Sequence, residues 1–457
     1  MAKGTNILKV RDDHEPVYFE SEYGDGFQFN LCADRQKPSW LSDKELSVTT
    51  LRERIEPWLT SLFQSEHLSL LIGSGLSTAI QNIAVDDPQN VMGCPKSNTK
   101  HAPIIEKAIQ ESVKRNSRGK ANIEDYFRVL NDLLRGLEIL EKMDDHAELR
   151  AERDKFLSEF VSNISATENS IATADEKRRT KAFNNLVSFL MSFASRTGTR
   201  DRLNIFTTNY DRVIEAGAEL AGLHLLDRFI GTIAPIFRSS RIDIDMHYNP
   251  PGIRGEPRYL EGVARFTKLH GSIDWLEIRN EIRRIGLPFG SEKVDSFLKT
   301  PELNTDSTHI IYPNASKDRE TAEYPYVELF RDFAAALCRP NSTLVTYGYS
   351  FGDEHINRII RDMLIIPSTH LVIVSYDDAQ GRIMKNCEKT GRISQISLLI
   401  GPALANIEIL TDYFLPKPAI DKATFRMSEL LEQRYRTNKS EKTSNTHESS
   451  AGSTSPK

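Results

Sequence analysis

The stretch "HLSLLIGSGLSTAI", residues 67–80, decides how this chain is read. Leu68 to Ile72 are apolar apart from Ser69, which suits a buried strand. Gly73 and Gly75 then mark a sharp turn, and a helix is expected at once after it. A strand that runs through glycines into a helix is the opening unit of a parallel α/β sheet. Glycines let the backbone approach a pyrophosphate, and the helix start offers unpaired N–H groups and partial positive charge. Ser77 or Thr78 adds a hydroxyl. Thr78 stands where a full dinucleotide fingerprint has its third glycine, so a plain tight turn is the competing reading.

The same pattern recurs downstream. "LNIFTTNYDRVIEAGAEL" (203–220) reads as strand, turn and helix. "VARFTKLHGS" (263–272), "THIIYP" (308–313), "STLVTYGYS" (342–350) and "HLVIVSY" (370–376) read as further strands, with "IEIL" (407–410) as a last one. Helices are expected over "YPYVELFRDFAAALC" (324–338) and "DEHINRIIRDMLI" (353–365). The expected fold is therefore α/β, a Rossmann-like doubly wound parallel sheet with an inserted helical subdomain.

The insertion spans residues 101–200, where "NIEDYFRVLNDLLRGLEILEKM", "AELRAERDKFLSEFVSNIS" and "KAFNNLVSFLMSFASR" carry apolar residues at three-to-four spacing. Residues 1–46, with a short strand at "PVYFESE", read as an extension that packs on the body or on another subunit. "SVTTLRERIEPWLTSLFQSE" (47–66) reads as a capped amphipathic helix despite its proline. It opens a main domain over 47–433, and the polar Ser/Thr-rich 434–457 reads as a disordered tail.

Four strand ends carry chemistry, each with a bland alternative. In the first loop, Gly73, Ser74, Gly75 and Ser77 cradle a phosphate or simply turn. Asn209 and Asp211 follow the second strand: Asp211 caps a helix, or the pair meets a ligand as an amide that orients water or a ribose and a carboxylate that accepts hydrogen bonds. His270 ends the third strand beside Gly271. It is a structural histidine or a base able to take a proton near neutral pH. Gly348, Ser350 and Gly352 form a second small-residue loop, with Asp353 as the cap of the next helix. In a parallel sheet these ends gather on one edge.

Bulk properties narrow the classes. The chain has 457 residues, and its formal charge of -5 argues against coating nucleic acid. Cys32, Cys94, Cys338 and Cys387 are scattered without a CxxC pair, so neither a zinc site nor a disulfide framework is expected. "MAKGTNILKVRDDHEP" lacks a signal-peptide core, and no window is apolar enough to span a bilayer. A cytoplasmic protein with no membrane contact is expected.

At these residues the chain resembles the sirtuin family. Its "GSGLS" (73–77), "TNYD" (208–211), "HG" (270–271) and "GYS" (348–350) fill the places of that family's phosphate loop, nicotinamide-ribose segment, catalytic histidine and adenosine-side loop. The order and spacing agree from about Leu68 to Ser375. Departures are clear: Ser74 replaces alanine, Thr208 replaces glutamine, and "TAIQNIAVDDPQN" has no Gly-Ile-Pro-Asp-Phe-Arg stretch. The four-cysteine zinc module has no counterpart, and the helical block stands in its place.

"KLHGSIDW", "PYVELF" and "GYSFGDEHIN" are similar to the divergent bacterial branch that destroys NAD in anti-phage defence. The resemblance implies NAD as substrate, no metal, and cleavage to nicotinamide and ADP-ribose. It implies Asn209, Asp211 and His270 as catalytic, with Gly73, Ser74, Gly75, Ser77, Thr208, Gly348 and Ser350 holding NAD. It also implies a homo-oligomer, with a HerA-type ATPase or another defence-system partner. The alternatives are an NAD-dependent deacylase or ADP-ribosyltransferase, and a nucleotide-sensing or scaffold subunit without turnover.

Overall fold

A computed structural model describes residues 5–21, 28–32, 37–41, 45–86, 88, 93–115, 121–195, 201–240, 245–248, 258–278, 281–291, 309–310 and 324–417. The expected tail at 434–457 lies outside them.

The chain begins with three strands, β1 (Thr5–Lys9), β2 (Val17–Ser21) and β3 (Phe29–Leu31). Helix α1 (Val48–Phe63) follows, with Ser47 accepting from the Thr50 amide as N-cap. Pro57 lies inside it and leaves the Glu53 carbonyl without its helical donor. Arg11 reaches over to fill that gap, donating to the Glu53 and Arg54 carbonyls at 3.0 Å each. The helix thus tolerates its proline.

Strand β4 (His67–Ile72) runs into α2 (Ser74–Ala84) with Gly73 as the only residue between them. The stretch expected as an insertion holds α3 (Ala102–Arg115), α4 (Ile123–Ile139), α5 (Met143–Ala172) and α6 (Glu176–Ala194). A capping box, Asn122 with Asp125, starts α4. Then come β5 (Asn204–Thr207), α7 (Val213–Leu220) and β6 (His224–Leu226). Short strands β7 (Phe229–Ile230), β8 (Ile236–Phe237), β9 (His247–Tyr248) and β10 (Arg258–Tyr259) precede β11 (Val263–Lys268). β12 (Trp275–Ile278), β13 (Glu281–Arg284) and β14 (His309–Ile310) complete the middle of the chain. The last third holds α8 (Tyr326–Leu337), β15 (Ser342–Tyr347), α9 (Glu354–Leu364), β16 (His370–Ser375), α10 (Arg382–Thr390) and β17 (Ile396–Ile400).

The central sheet is ordered β3-β2-β1-β17-β16-β15-β4-β5-β11-β6. From β17 to β6 every pairing is parallel, and the amino-terminal strands extend the β17 edge antiparallel. The chain builds outward from β4 on one side, then returns to lay β15 against its other side. The direction of winding therefore reverses between β4 and β15, where doubly wound sheets open a ligand crevice.

Alternation along the strands explains the two covered faces. Leu70 and Ile72 join one core with α1, α2, α6 and α7, while Leu71 faces the other with α8, α9 and α10. A third core joins α3, α4 and α5 to Tyr210, Ile273 and the small sheet β14-β12-β13-β8-β7.

Two strand expectations are corrected. Within "THIIYP", β14 pairs antiparallel with β12 in the small sheet rather than joining the parallel one, and the rest of that stretch lies outside the described residues. "IEIL" is helical over Ile407–Ile409, because the Asn406 side chain accepts from the Glu408 and Ile409 amides and starts a turn there. The edge of the parallel set is β17 instead.

Candidate active site

The last residues of four parallel strands stand in one row. Tyr347 pairs with Ile72, Ile72 with Thr207, and Thr207 with Lys268. The loops carrying Gly348, Gly73, Asn209 and His270 therefore leave the sheet at one level, side by side.

The two glycine loops interlock. The Gly75 amide donates to the Gly348 carbonyl at 3.2 Å, and the Gly73 amide to the Tyr347 carbonyl at 2.9 Å. A Cβ on Gly73 would lie 2.4 Å from the Gly348 oxygen. Gly348 itself has a φ of 61°, which disfavours any side chain. The close backbone approach expected toward a phosphate is thus made between the loops, at the reversal of winding. Ser74 and Ser350 are exposed, and the Ser350 carbonyl accepts from Arg382 Nε at 2.8 Å. Ser350 is not drawn into the group formed by Gly73, Ser77, Asn209 and Asp211.

Asn209 is buried, 5% exposed, and its amide orientation is set by its partners. Nδ2 donates to the Gly73 carbonyl at 3.1 Å and to Ser77 Oγ at 3.0 Å. Both amide hydrogens are used, so Oδ1 is the acceptor that remains. It is buried with no hydrogen-bond partner among the described residues. An unpaired buried acceptor costs about 1–3 kcal/mol, so this oxygen suits a donor from a ligand or a water. Ser77 passes its own proton to Asp211 Oδ2 at 2.7 Å, and Asp211 Oδ1 accepts the Val213 amide at 3.1 Å. Asp211 is therefore both the cap of α7 and the end of the Asn209–Ser77 chain, with lone pairs left on both oxygens. Thr208, half-buried, donates its amide to the Ile72 carbonyl at 3.1 Å and ties this loop to β4.

His270 sits in the turn between β11 and β12, where the chain leaves the central sheet for the small one. Gly271 has a φ of 87°, so glycine is required there by the turn itself. The Tyr210 carbonyl accepts from the Ile273 amide at 3.1 Å and Ser272 Oγ at 3.2 Å, which bolts the His270 turn to the Asn209 loop. The Tyr210 ring lies 6.1 Å from the His270 ring. His270 Nε2 is 3.0 Å from Asp353 Oδ2, and Nδ1 is 3.9 Å from Glu124 Oε1.

Glu124 comes from the insertion and accepts from the Tyr210 hydroxyl at 3.0 Å. Burial first, and then the Glu124 charge, hold the Tyr210 phenol well above its ordinary pKa, so it remains a donor. A second link runs from α5: the Arg212 amide donates to Glu168 Oε1 at 2.7 Å, and the guanidinium pairs with the same carboxylate. Burial pushes the Glu168 carboxyl up, against the pull of Arg212. Beneath the loop, buried Lys268 donates to the Asp211 carbonyl and to Glu215 Oε1.

Glu124, Tyr210, Lys268 and Arg212 were not among the residues expected from sequence, and Asp353 was read only as a helix cap. The acidic first turn of "NIEDYF" was the one available signal for Glu124. Among the described residues no group of three His, Cys, Asp or Glu side chains could hold a metal, and no helix is long and apolar enough to cross a membrane.

Residues 203–393 match the model of the SIR2-like domain. The match takes in Asn209, Asp211, His270 and Gly348, and it supports a sirtuin-like reading of this edge and NAD-related activity. No curated protein matches the sequence.

Proposed function

We propose that this chain is an NAD glycohydrolase that cleaves NAD to nicotinamide and ADP-ribose. The observation that carries the reading is Asn209 Oδ1. It is a buried acceptor without a partner among the described residues, at the level where four strand ends meet. It accepts from the attacking water or a ribose hydroxyl. The Asp211 carboxylate, steadied by Ser77 and the α7 amide, accepts from the nicotinamide carboxamide. His270 takes the proton released as water becomes a hydroxyl.

Nicotinamide in NAD is a cationic pyridinium and leaves as a neutral molecule, so its departure needs no general acid. The transition state resembles an oxocarbenium ion, as in other glycosidic cleavages. The surrounding carboxylates of Asp211, Asp353 and Glu124 suit that developing positive charge. Water attack at the anomeric carbon yields nicotinamide, ADP-ribose and one proton.

The motifs shared with the NAD-destroying bacterial branch support a role in anti-phage defence by NAD depletion, in a homo-oligomer working with a HerA-type ATPase or another partner. The rival readings are a protein deacylase, which passes an acyl group from lysine to ADP-ribose, and an ADP-ribosyltransferase, which passes ADP-ribose to a protein. Product analysis in ¹⁸O-labelled water, with and without an acyl-lysine peptide, separates them. Labelled ADP-ribose independent of the peptide is expected. ADP-ribose products that form only with the peptide and carry its acyl group would overturn hydrolysis.

A further inference from the structure

We propose that Asp353 is a positioning residue that holds His270 in the Nε2–H tautomer, leaving Nδ1 as the atom that takes the proton. The inference rests on the reading of this edge as the NAD-cleaving site. Asp353 is buried, 4% exposed, and fixed from several directions. Its Oδ1 accepts the His355 amide at 2.9 Å as N-cap of α9, and its carbonyl accepts from the Tyr349 hydroxyl at 3.1 Å. Its Oδ2 is left pointing at His270 Nε2, 3.0 Å away. A carboxylate accepts and an imidazole nitrogen does either, so the proton of this contact sits on Nε2.

The opposite ring nitrogen then has a lone pair. The groups facing the ring are Asp353 from the loop before α9, Glu124 from α4 of the insertion and Tyr210 from the loop after β5. Glu124 Oε1, held by the Tyr210 hydroxyl, stands 3.9 Å from Nδ1. That is too far for a direct hydrogen bond, so Nδ1 stays open to a hydroxyl. As the water oxygen bonds the anomeric carbon, its proton moves to Nδ1, and the electrons of the broken C–N bond leave with nicotinamide. The imidazolium so formed lies between two carboxylates, and it returns its proton to solvent.

The test is Asp353→Asn, which separates capping from positioning. Asparagine caps a helix about as well as aspartate. Its Nδ2, however, is a donor toward His270 Nε2, so the ring is expected to turn to the Nδ1–H tautomer with no base where the hydroxyl lies. ¹⁵N-histidine NMR of the full-length protein reads the tautomer directly, with His270→Gln identifying the signal. Expected are Nε2–H in the wild type and Nδ1–H in Asp353→Asn, an unchanged melting temperature, and a loss of kcat of about 10²–10⁴-fold with KM within about threefold.

The same tautomer in both proteins, with unchanged kcat, would overturn the proposal and leave Asp353 a cap. A tautomer switch in a wild type that does not cleave NAD would uphold the positioning and sink the functional reading instead. NAD cleavage without a switch would do the reverse.

Discussion

Gly75 and Gly348 touch backbone to backbone, so that a Cβ on Gly348 would stand 2.6 Å from the Gly75 Cα. This contact joins the first and last of the site loops across the point where winding reverses. The two small-residue stretches that resemble phosphate loops are thus one structural unit.

Gly348→Ala should therefore be costly. The new methyl meets backbone that cannot yield, and its φ of 61° is left-handed. We expect a loss of about 2–4 kcal/mol in urea unfolding, combining a clash with backbone strain. Gly381→Ala is the control, since its φ is 79° but a Cβ there meets nothing within 4 Å. It should lose only about 1–2 kcal/mol. Equal losses would show that the interlock contributes nothing.

Ser77→Ala should impair activity more than stability. Ser77 Oγ accepts from Asn209 and donates to Asp211, so its loss frees both groups to rotate. A stability loss of about 1 kcal/mol and a fall in NAD turnover of about 10–100-fold are expected. Steady-state kinetics beside a melting curve measures both, and unaltered turnover would show that the chain has no part in orienting Asn209.

Glu168→Ala should loosen the insertion from the site. It removes the buried partner of Arg212 and leaves that charge with the Leu287 and Pro288 carbonyls and the weaker pull of Asp274 and Glu215. Removing one member of a buried pair costs about 3–5 kcal/mol. Chemical denaturation that gives less than about 1 kcal/mol would mean that Arg212 finds other compensation.

His370 predicts a pH effect far from the site. It lies at the opposite, amino-terminal end of the strands, with Nε2 bonded to Ser397 Oγ at 2.8 Å. Burial, helped by the Lys9 charge, lowers its pKa to about 4. The folded state therefore favours neutral His370, and its contribution is present above the unfolded value near 6.5. That contribution is lost as pH falls toward 4, and the lowered value corresponds to up to about 3 kcal/mol. Melting curves from pH 7 to 4 should fall less steeply for His370→Gln. Parallel curves would contradict the assignment.

Legibility followed the range of the interactions. The strand-to-helix turns at Gly73, Asn209 and Gly348 are local, and hydrophobic runs bounded by glycine and helix caps reveal them. Their common level on the sheet follows from parallel pairing alone. The partners of His270 are not local: Asp353 lies 83 residues away, and Glu124 belongs to a helix whose pattern reports only its own core. "IEIL" misled because three apolar residues around Glu408 suit either a strand or a helical turn, and Asn406 in front of them starts the turn. The small sheet was missed because its strands are two to four residues long.

The most direct test of the central claim is nicotinamide release from NAD by purified wild type and Asn209→Ala, with NAD binding measured by calorimetry on both. The wild type should release nicotinamide and ADP-ribose in equal amounts. Asn209→Ala should still bind NAD, within about tenfold, yet cleave it at least about 100-fold more slowly. Equal rates from the two proteins would contradict the assignment of this edge as the cleaving site.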